Sequence, residues 1–304
     1  MKFDRRISRR SFLAAAGVSA AALALTACGG SSSTAASGST AASGAAASAE
    51  GGVLNVMLET EVQSLDPQLA TDGTSFEVIA NYTDGLMQMD ANGAAVEALA
   101  ESYELSEDGK TYTFHLRDDI KFHTTDYFKP TREFNADDVL FTFNRMIDKD
   151  MPFRKAYPTE FPYFTDMGMD TNIKNIEKID DKTVKFTLNT VDAAFIQNLA
   201  MSFASIQSAE YADQLLKNGK AADINQKPIG TGPFVFQRYQ KDSQIRYVGN
   251  KQYWDPSRVK LDNLIFAINT DASVRVQKLK ANECQITLHP RPADVTALKS
   301  DPKL

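Results

Sequence analysis

Hydrophobic and polar positions alternate along much of the chain with the period of two that a half-buried strand requires. In Thr111–Arg117 (TYTFHLR), Tyr112, Phe114 and Leu116 fall on one face. The turn-forming Glu107-Asp108-Gly109-Lys110 stands just before it. Ile176–Ile179 and Val184, Phe186 and Leu188 flank Asp180-Asp181-Lys182 as a hairpin. Phe234-Val235-Phe236 and Ile245-Arg246-Tyr247 flank Lys241-Asp242-Ser243 as another. Val53–Leu58 reads as a buried first strand, and Leu264–Ile268 as a strand apolar on both faces. Elsewhere the period lengthens. Val139, Leu140, Phe143, Met146 and Ile147 predict a helix capped by Asn135, with Asp137 and Asp138 at the positive end of its dipole. Further helices are predicted over Asp192–Met201, over Ser208–Asn218 with Leu215 and Leu216 inward, and over Asp271–Ala281 with Val276 and Leu279 toward the core. A helix-like stretch covers Ala293–Ser300. Hairpins beside strand–helix units predict a mixed α/β (α+β) fold that is not doubly wound throughout.

The first 27 residues follow a different pattern and are expected to lie outside the fold. Arg5, Arg6, Arg9 and Arg10 precede an apolar run, 12–27, that is too short for a comfortable membrane span. This is the layout of an export signal peptide. Ser8-Arg9-Arg10-Ser11-Phe12-Leu13 reads as a twin-arginine signal. Paired arginines also occur in ordinary signals, so both export routes stay open. Leu25-Thr26-Ala27-Cys28 reads as a lipobox, with the Cys28 thiol as the nucleophile that takes up a diacylglyceryl group. Residues 28–50 are then the lipidated cysteine and a flexible linker, in which Glu50 is the only charge. As a random coil the linker would span roughly 25 Å. The expected location is the outer face of the cytoplasmic membrane, at the cell surface or in the periplasm.

Charge narrows the partners. Lys2 and four arginines against Asp4 give residues 1–27 a net charge of +4, so the remainder carries −10 of a chain whose total is −6. An acidic exported domain argues against nucleic acid and against anionic lipid held by charge. The cysteines are Cys28 and Cys284; with Cys28 acylated, no intrachain disulfide is possible. Catalytic patterns are missing: no HExxH, CxxC or GxSxG occurs. Gly230-Thr231-Gly232-Pro233-Phe234 is glycine-rich but has no lysine at phosphate-loop spacing; Gly230 and Gly232 are expected to serve backbone conformation at a crossover. Of the histidines His115, His123 and His289, His115 is expected to be a surface or cross-strand residue and His123 a surface loop residue, neither of them a ligand. No enzyme activity, metal or cofactor is predicted.

Several segments then carry a likeness. Ala98–Glu104 with Asp108–Arg117, Phe122-His123 with Asn135–Val139, Pro228–Phe234, and Tyr253-Trp254 stand in one order and spacing. Together they resemble the signature of family 5 extracellular solute-binding proteins, which serve peptide and nickel ABC importers. Phe128–Glu133, Tyr239–Ser243, Thr270–Arg275 and Asn282–Gln285 are similar to the family's dipeptide-binding members. The resemblance covers nearly all of residues 52–304 and implies a periplasmic-binding-protein-like, type II Venus flytrap. Residues 51–85 and 229–304 would form part of lobe I, and 86–228 the family's extra domain. The second lobe would be missing, so an N-terminal fragment of a longer protein is expected. The implied function is that of a monomeric substrate-binding lipoprotein of an ABC importer, binding short peptides, dipeptides foremost, and delivering them to permease subunits. Alternatives on the same fold are a binder of nickel, haem or another small solute, or a non-transport extracellular receptor; a different class is an extracellular hydrolase, against which the missing nucleophile–base set argues. Thr71, Asp72, Gly73, Thr74 and Ser75, and Ser205 in Ser202–Ser205, match positions near the ligand in this resemblance; each is otherwise an ordinary turn or cap residue. The charged ligand anchors would come from the opposite lobe. Asp66-Pro67 is expected to be a structural turn. In the dipeptide-binding members a first-strand cysteine pairs with the one in Asn-Glu-Cys-Gln. Here Met57 stands at that first position, so Cys284 is expected to be an unpaired, buried thiol.

Overall fold

The computed structural model describes residues 51–304. The stretches read above as an export signal, a lipidated Cys28 and a linker lie outside the described residues. The strands are β1 (Val53–Leu58), β2 (Met87–Met89), β3 (Ala95–Glu97), β4 (Ala100–Leu105), β5 (Thr111–Leu116), β6 (Ile173–Asp180), β7 (Thr183–Leu188), β8 (Phe234–Gln240), β9 (Gln244–Gly249), β10 (Asn263–Ile268) and β11 (Ile286–Thr287). They form a five-stranded sheet β11-β1-β10-β9-β8, a four-stranded sheet β4-β5-β7-β6 and the ribbon β2-β3. The architecture is mixed α/β. β1 runs parallel to both β10 and β11, while β8, β9 and β10 are antiparallel neighbours. The helix Ala272–Lys280 connects β10 to β11, which is the crossover a parallel pair requires.

Local chemistry accounts for the best-formed elements. Tyr112, Phe114 and Leu116 of β5 are buried while Thr111, Thr113 and His115 face outward. The helix Ala136–Ile147 begins with a full capping box: Asn135 Oδ1 accepts from Asp137 N, and Asp138 Oδ2 accepts from Asn135 N at 3.0 Å. This helix lays Phe143 edge-on to Phe186 of β7, with ring centroids 5.1 Å apart. One apolar core draws on residues between Leu86 and Ile229. A second draws on Val56–Tyr82 and Phe234–Phe266.

Three expectations need correction. The segment Asp192–Met201 is not a continuous helix: one turn, Phe195–Asn198, is followed by a 3-10 turn at Ser202–Ala204. Burying both Phe195 and Leu199 and then pairing Ser205 with Gly85 turns the chain too soon for more. In the helix Ala272–Lys280, Val276 and Leu279 are only half-buried, and Arg275 is the buried residue. His123 is not at the surface. It is 2% exposed, and its ring Nε2–H donates to Gly232 O at 2.9 Å while its backbone N–H donates to Gly230 O. His115 does take a cross-strand place, half-exposed, with Nε2 3.4 Å from Glu104 Oε1. Cys284 is a buried free thiol, as expected.

The position of His123 makes the fold acid-sensitive. Burial pushes its imidazole down from 6.5 to about 4, and Nδ1 is buried without a partner among the described residues. The unfolded chain therefore takes up a proton below pH 6.5 that the folded chain refuses until about pH 4. This contribution is fully present above pH 6.5 and is lost as the pH falls toward 4, by about 2–3 kcal/mol at pH 4.5. Urea titrations at pH 7 and 4.5 check it: His123→Gln, which keeps a donor for Gly232 O, should lose that much less stability between the two pH values than the native chain. Equal losses in both proteins would exclude His123 as the source.

Candidate functional site

In open sheets with parallel strands, ligands bind outside the carboxyl ends. Here those ends belong to β1, β10 and β11, with β1 in the middle. Glu59 follows β1, Asn269 follows β10, and His289 lies two residues beyond β11. Asn269 N donates to Leu58 O at 2.9 Å and Leu288 N to Met57 O, which knits the three ends together. His289 Nδ1 stands 2.7 Å from Glu59 Oε1, on a backbone with φ of 48°.

The segment Thr71–Ser75 joins this end of the sheet by starting the helix Gly73–Ile79. Asp72 is its N-cap, with Oδ1 accepting from Ser75 N at 2.9 Å. Ser75 is fully buried, and its Oγ accepts from Gln63 N and Ser64 N. Thr74 is buried as well. Thr71 and Gly73 are exposed, and a Cβ placed on Gly73 would meet nothing within 4 Å.

What distinguishes this region is unmet polarity. Glu59 Oε2, Asp72 Oδ2, Glu77 Oε2 and Thr287 Oγ1 are buried atoms without a hydrogen-bond partner among the described residues. Burial raises the Glu77 pKa above the usual carboxylate value; His289 opposes the rise, and Glu59 and Asp72 add to it. Three carboxylates thus face a single imidazole. Such a rim accepts hydrogen bonds and suits a cationic or N–H-bearing ligand. Among the described residues no group of three His, Cys, Asp or Glu side chains could hold a metal ion.

Ser205 lies elsewhere. It is 5% exposed, donates to Thr83 Oγ1 at 3.1 Å, and lines a cavity of about 240 Å³ with Asp84, Met87, Met201 and Arg258. Residues 71–75 do not line that cavity. Asp84 is held there by Thr231 Oγ1 and Tyr253 OH, each donating at 2.9 Å, and burial raises its pKa. The structure therefore keeps Ser205 apart from Thr71–Ser75. Sequence reasoning missed Glu59, Glu77 and His289. The one usable signal was position, since Glu59 directly follows a strand; β11, with two residues, is too short to announce His289.

Comparison with known proteins identifies the family. Residues 94–304 match the family model "Bacterial extracellular solute-binding proteins, family 5 Middle". The chain is 73% identical over 241 residues to Di/tripeptide-binding protein 1 of Pseudomonas aeruginosa, a match covering 79% of this chain and 45% of that protein. It is 45% identical over 240 residues to Heme-binding protein A of Haemophilus influenzae, covering 78% and 44% respectively. Among solved structures, the periplasmic binding protein DppA of Helicobacter pylori in complex with the peptide STSA superposes with a TM-score of 0.80 at 39% identity, over 84% of this chain and 50% of that one. The chain thus spans about half the length of the relatives it matches. By this match and by its mixed α/β architecture, the chain belongs to the bacterial extracellular solute-binding proteins of family 5.

Proposed function

We propose that this chain provides one wall of a cleft for short peptides, in the substrate-binding component of an ABC importer. The observation that carries the reading is the acceptor rim of Glu59, Asp72 and Glu77, each with a buried, unpartnered oxygen. A peptide brings an ammonium group and amide N–H donors to such a rim. The 73% identity to a di/tripeptide-binding protein supports the same ligand class. In this reading Thr71, Asp72 and Gly73 face the ligand, Thr74 and Ser75 hold their backbone in place, and Ser205 belongs to the neighbouring cavity. Residues 51–85 and 229–304 act as one lobe and 86–228 as an added domain. No catalytic step is part of the reading.

Lipid on Cys28 would tether the domain at the outer face of the membrane, within reach of permease subunits. No helix among the described residues is long and apolar enough to cross a membrane. Labelling growing cells with a fatty-acid analogue tests the anchor: label that persists in Cys28→Ser would exclude it.

The ligand is tested on the chain joined to the unmatched portion of the Pseudomonas aeruginosa relative, purified free of ligand and screened by thermal shift. Di- and tripeptides are expected to raise the melting temperature. The chain alone is expected to show no shift, because half a cleft cannot enclose a ligand. Stabilisation by haem with none by any peptide would replace this reading with the one that the 45% relative suggests.

A further inference from the structure

A cavity of about 560 Å³ is lined by Lys149, Arg154, Lys155, Pro158, Thr159 and Glu160, and shares no residue with the acceptor rim of Glu59, Asp72 and Glu77. Arg154 is the most buried of the six, at 9% exposed. Its Nη1 donates to Met146 O at 2.5 Å and to Arg145 O at 3.4 Å, at the end of the helix Ala136–Ile147. That contact caps the helix and leaves Nε and Nη2 without an acceptor among the described residues. Arg132 and Arg145 pair with Asp138 and Asp66, at 2.7 and 2.6 Å; Arg154 pairs with no carboxylate among the described residues. Its guanidinium carbon instead lies 4.8 Å from the centre of the Phe161 ring.

Two further groups in this cavity lack partners. Thr159 Oγ1 is buried with no hydrogen-bond partner among the described residues. Lys149 is exposed and enters no ion pair among them. The nearby carboxylates lie outside or are engaged. Asp148 Oδ1 accepts from Asp150 N at 2.8 Å, Asp150 pairs with Lys155 at 2.9 Å, and Glu160 is exposed.

A guanidinium is charged at every physiological pH. Two carbonyl dipoles and a ring face offset part of the cost of burying it; an anion offsets more, through charge-assisted hydrogen bonds. Water satisfies the Thr159 hydroxyl but not the charge. Three cations and one carboxylate line the cavity. A phosphate monoester brings nearly two negative charges and three acceptor oxygens, enough for guanidinium, hydroxyl and ammonium together.

We infer that this cavity binds a phosphate group, free or carried on a small organic molecule, with Arg154, Thr159 and Lys149 as its donors, apart from the peptide of the acceptor rim. The inference rests on these residues and not on that ligand being a peptide.

The test is calorimetric titration of the full chain with inorganic phosphate and with glycerol phosphate, at neutral pH and fixed ionic strength. Both should bind at one site and compete with each other. Removing Arg154 would also remove the helix cap, so two less buried positions carry the test. Lys149→Gln should weaken binding at least about tenfold and Thr159→Val about fivefold, with the ligand-free melting temperature unchanged in both. No saturable binding of either anion, binding matched by chloride, or binding unchanged in both variants would overturn the inference. So would release of the phosphate by a saturating dipeptide, on the chain completed with the unmatched portion of the Pseudomonas aeruginosa relative, since the cavity would then belong to the peptide cleft.

Discussion

Arg145→Met is expected to lower the stability of the folded domain by about 3–5 kcal/mol, because it strands a buried carboxylate. Arg145 and Asp66 are both fully buried, with Arg145 Nη2 donating to Asp66 Oδ2 at 2.6 Å. Nη1 donates to Gln68 Oε1 and Gln207 Oε1 at 2.8 Å each, and Gln207 Nε2 donates in turn to Asp66 Oδ1. The rings of Phe153, Tyr157 and Phe161 enclose the guanidinium at 5.3, 5.8 and 5.4 Å. Methionine would keep the packing and leave Asp66 with two of its donors. For a domain of this size the loss corresponds to roughly 10 °C in melting temperature. Asp66→Asn in the same chain should restore more than half of it, because the stranded charge disappears. A double-mutant cycle in urea measures the coupling; a value below about 1 kcal/mol would mean that the two buried charges do not stabilise the fold as a pair.

The second large effect is expected at Gly230. A Cβ built there would lie 1.9 Å from Tyr82 O, and one on Gly232 would lie 2.5 Å from the Tyr82 carbonyl carbon. Tyr82 cannot yield. Its hydroxyl donates to Leu65 O, its ring stacks on Tyr247 at 6.3 Å, and its carbonyl accepts from Gly232 N at 3.0 Å. Gly230→Ala should therefore give no soluble folded protein, or one melting more than about 10 °C lower, since the clash is with backbone and not with a movable side chain. Gly73→Ala, where the space is open, should change stability by less than about 1 kcal/mol. Soluble yield and thermal melts by circular dichroism compare the two. The expectation that these glycines serve backbone conformation is thereby sharpened: close approach of two chain segments excludes a side chain there.

Elements with a strong local signal were legible in the sequence. β5 and β7 show their period of two, and the helices starting at Ala136, Ala209 and Ala272 follow the caps Asn135, Ser208 and Asp271. Pairings distant in sequence were not. Asp66 reads as a turn residue because its partner Arg145 lies 79 positions away. His123 reads as a loop residue because Gly232 lies 109 positions away. The same holds at the candidate site, where Glu59 and His289 are 230 positions apart. The segment Thr71–Ser75 is singled out by resemblance, and no local pattern distinguishes its exposed residues from its cap. Val276 and Leu279 were misplaced because helical spacing identifies a face without saying what covers it.

The central claim is that ligand meets the carboxyl ends of β1, β10 and β11, and the most direct measurement is hydrogen exchange. It is made on the chain completed with the unmatched portion of its Pseudomonas aeruginosa relative, with and without a saturating dipeptide. Protection on binding is expected within the described residues at 59–77 and 286–291. Protection confined to the cavity lined by Asp84, Ser205 and Arg258, with 59–77 unchanged, would contradict it.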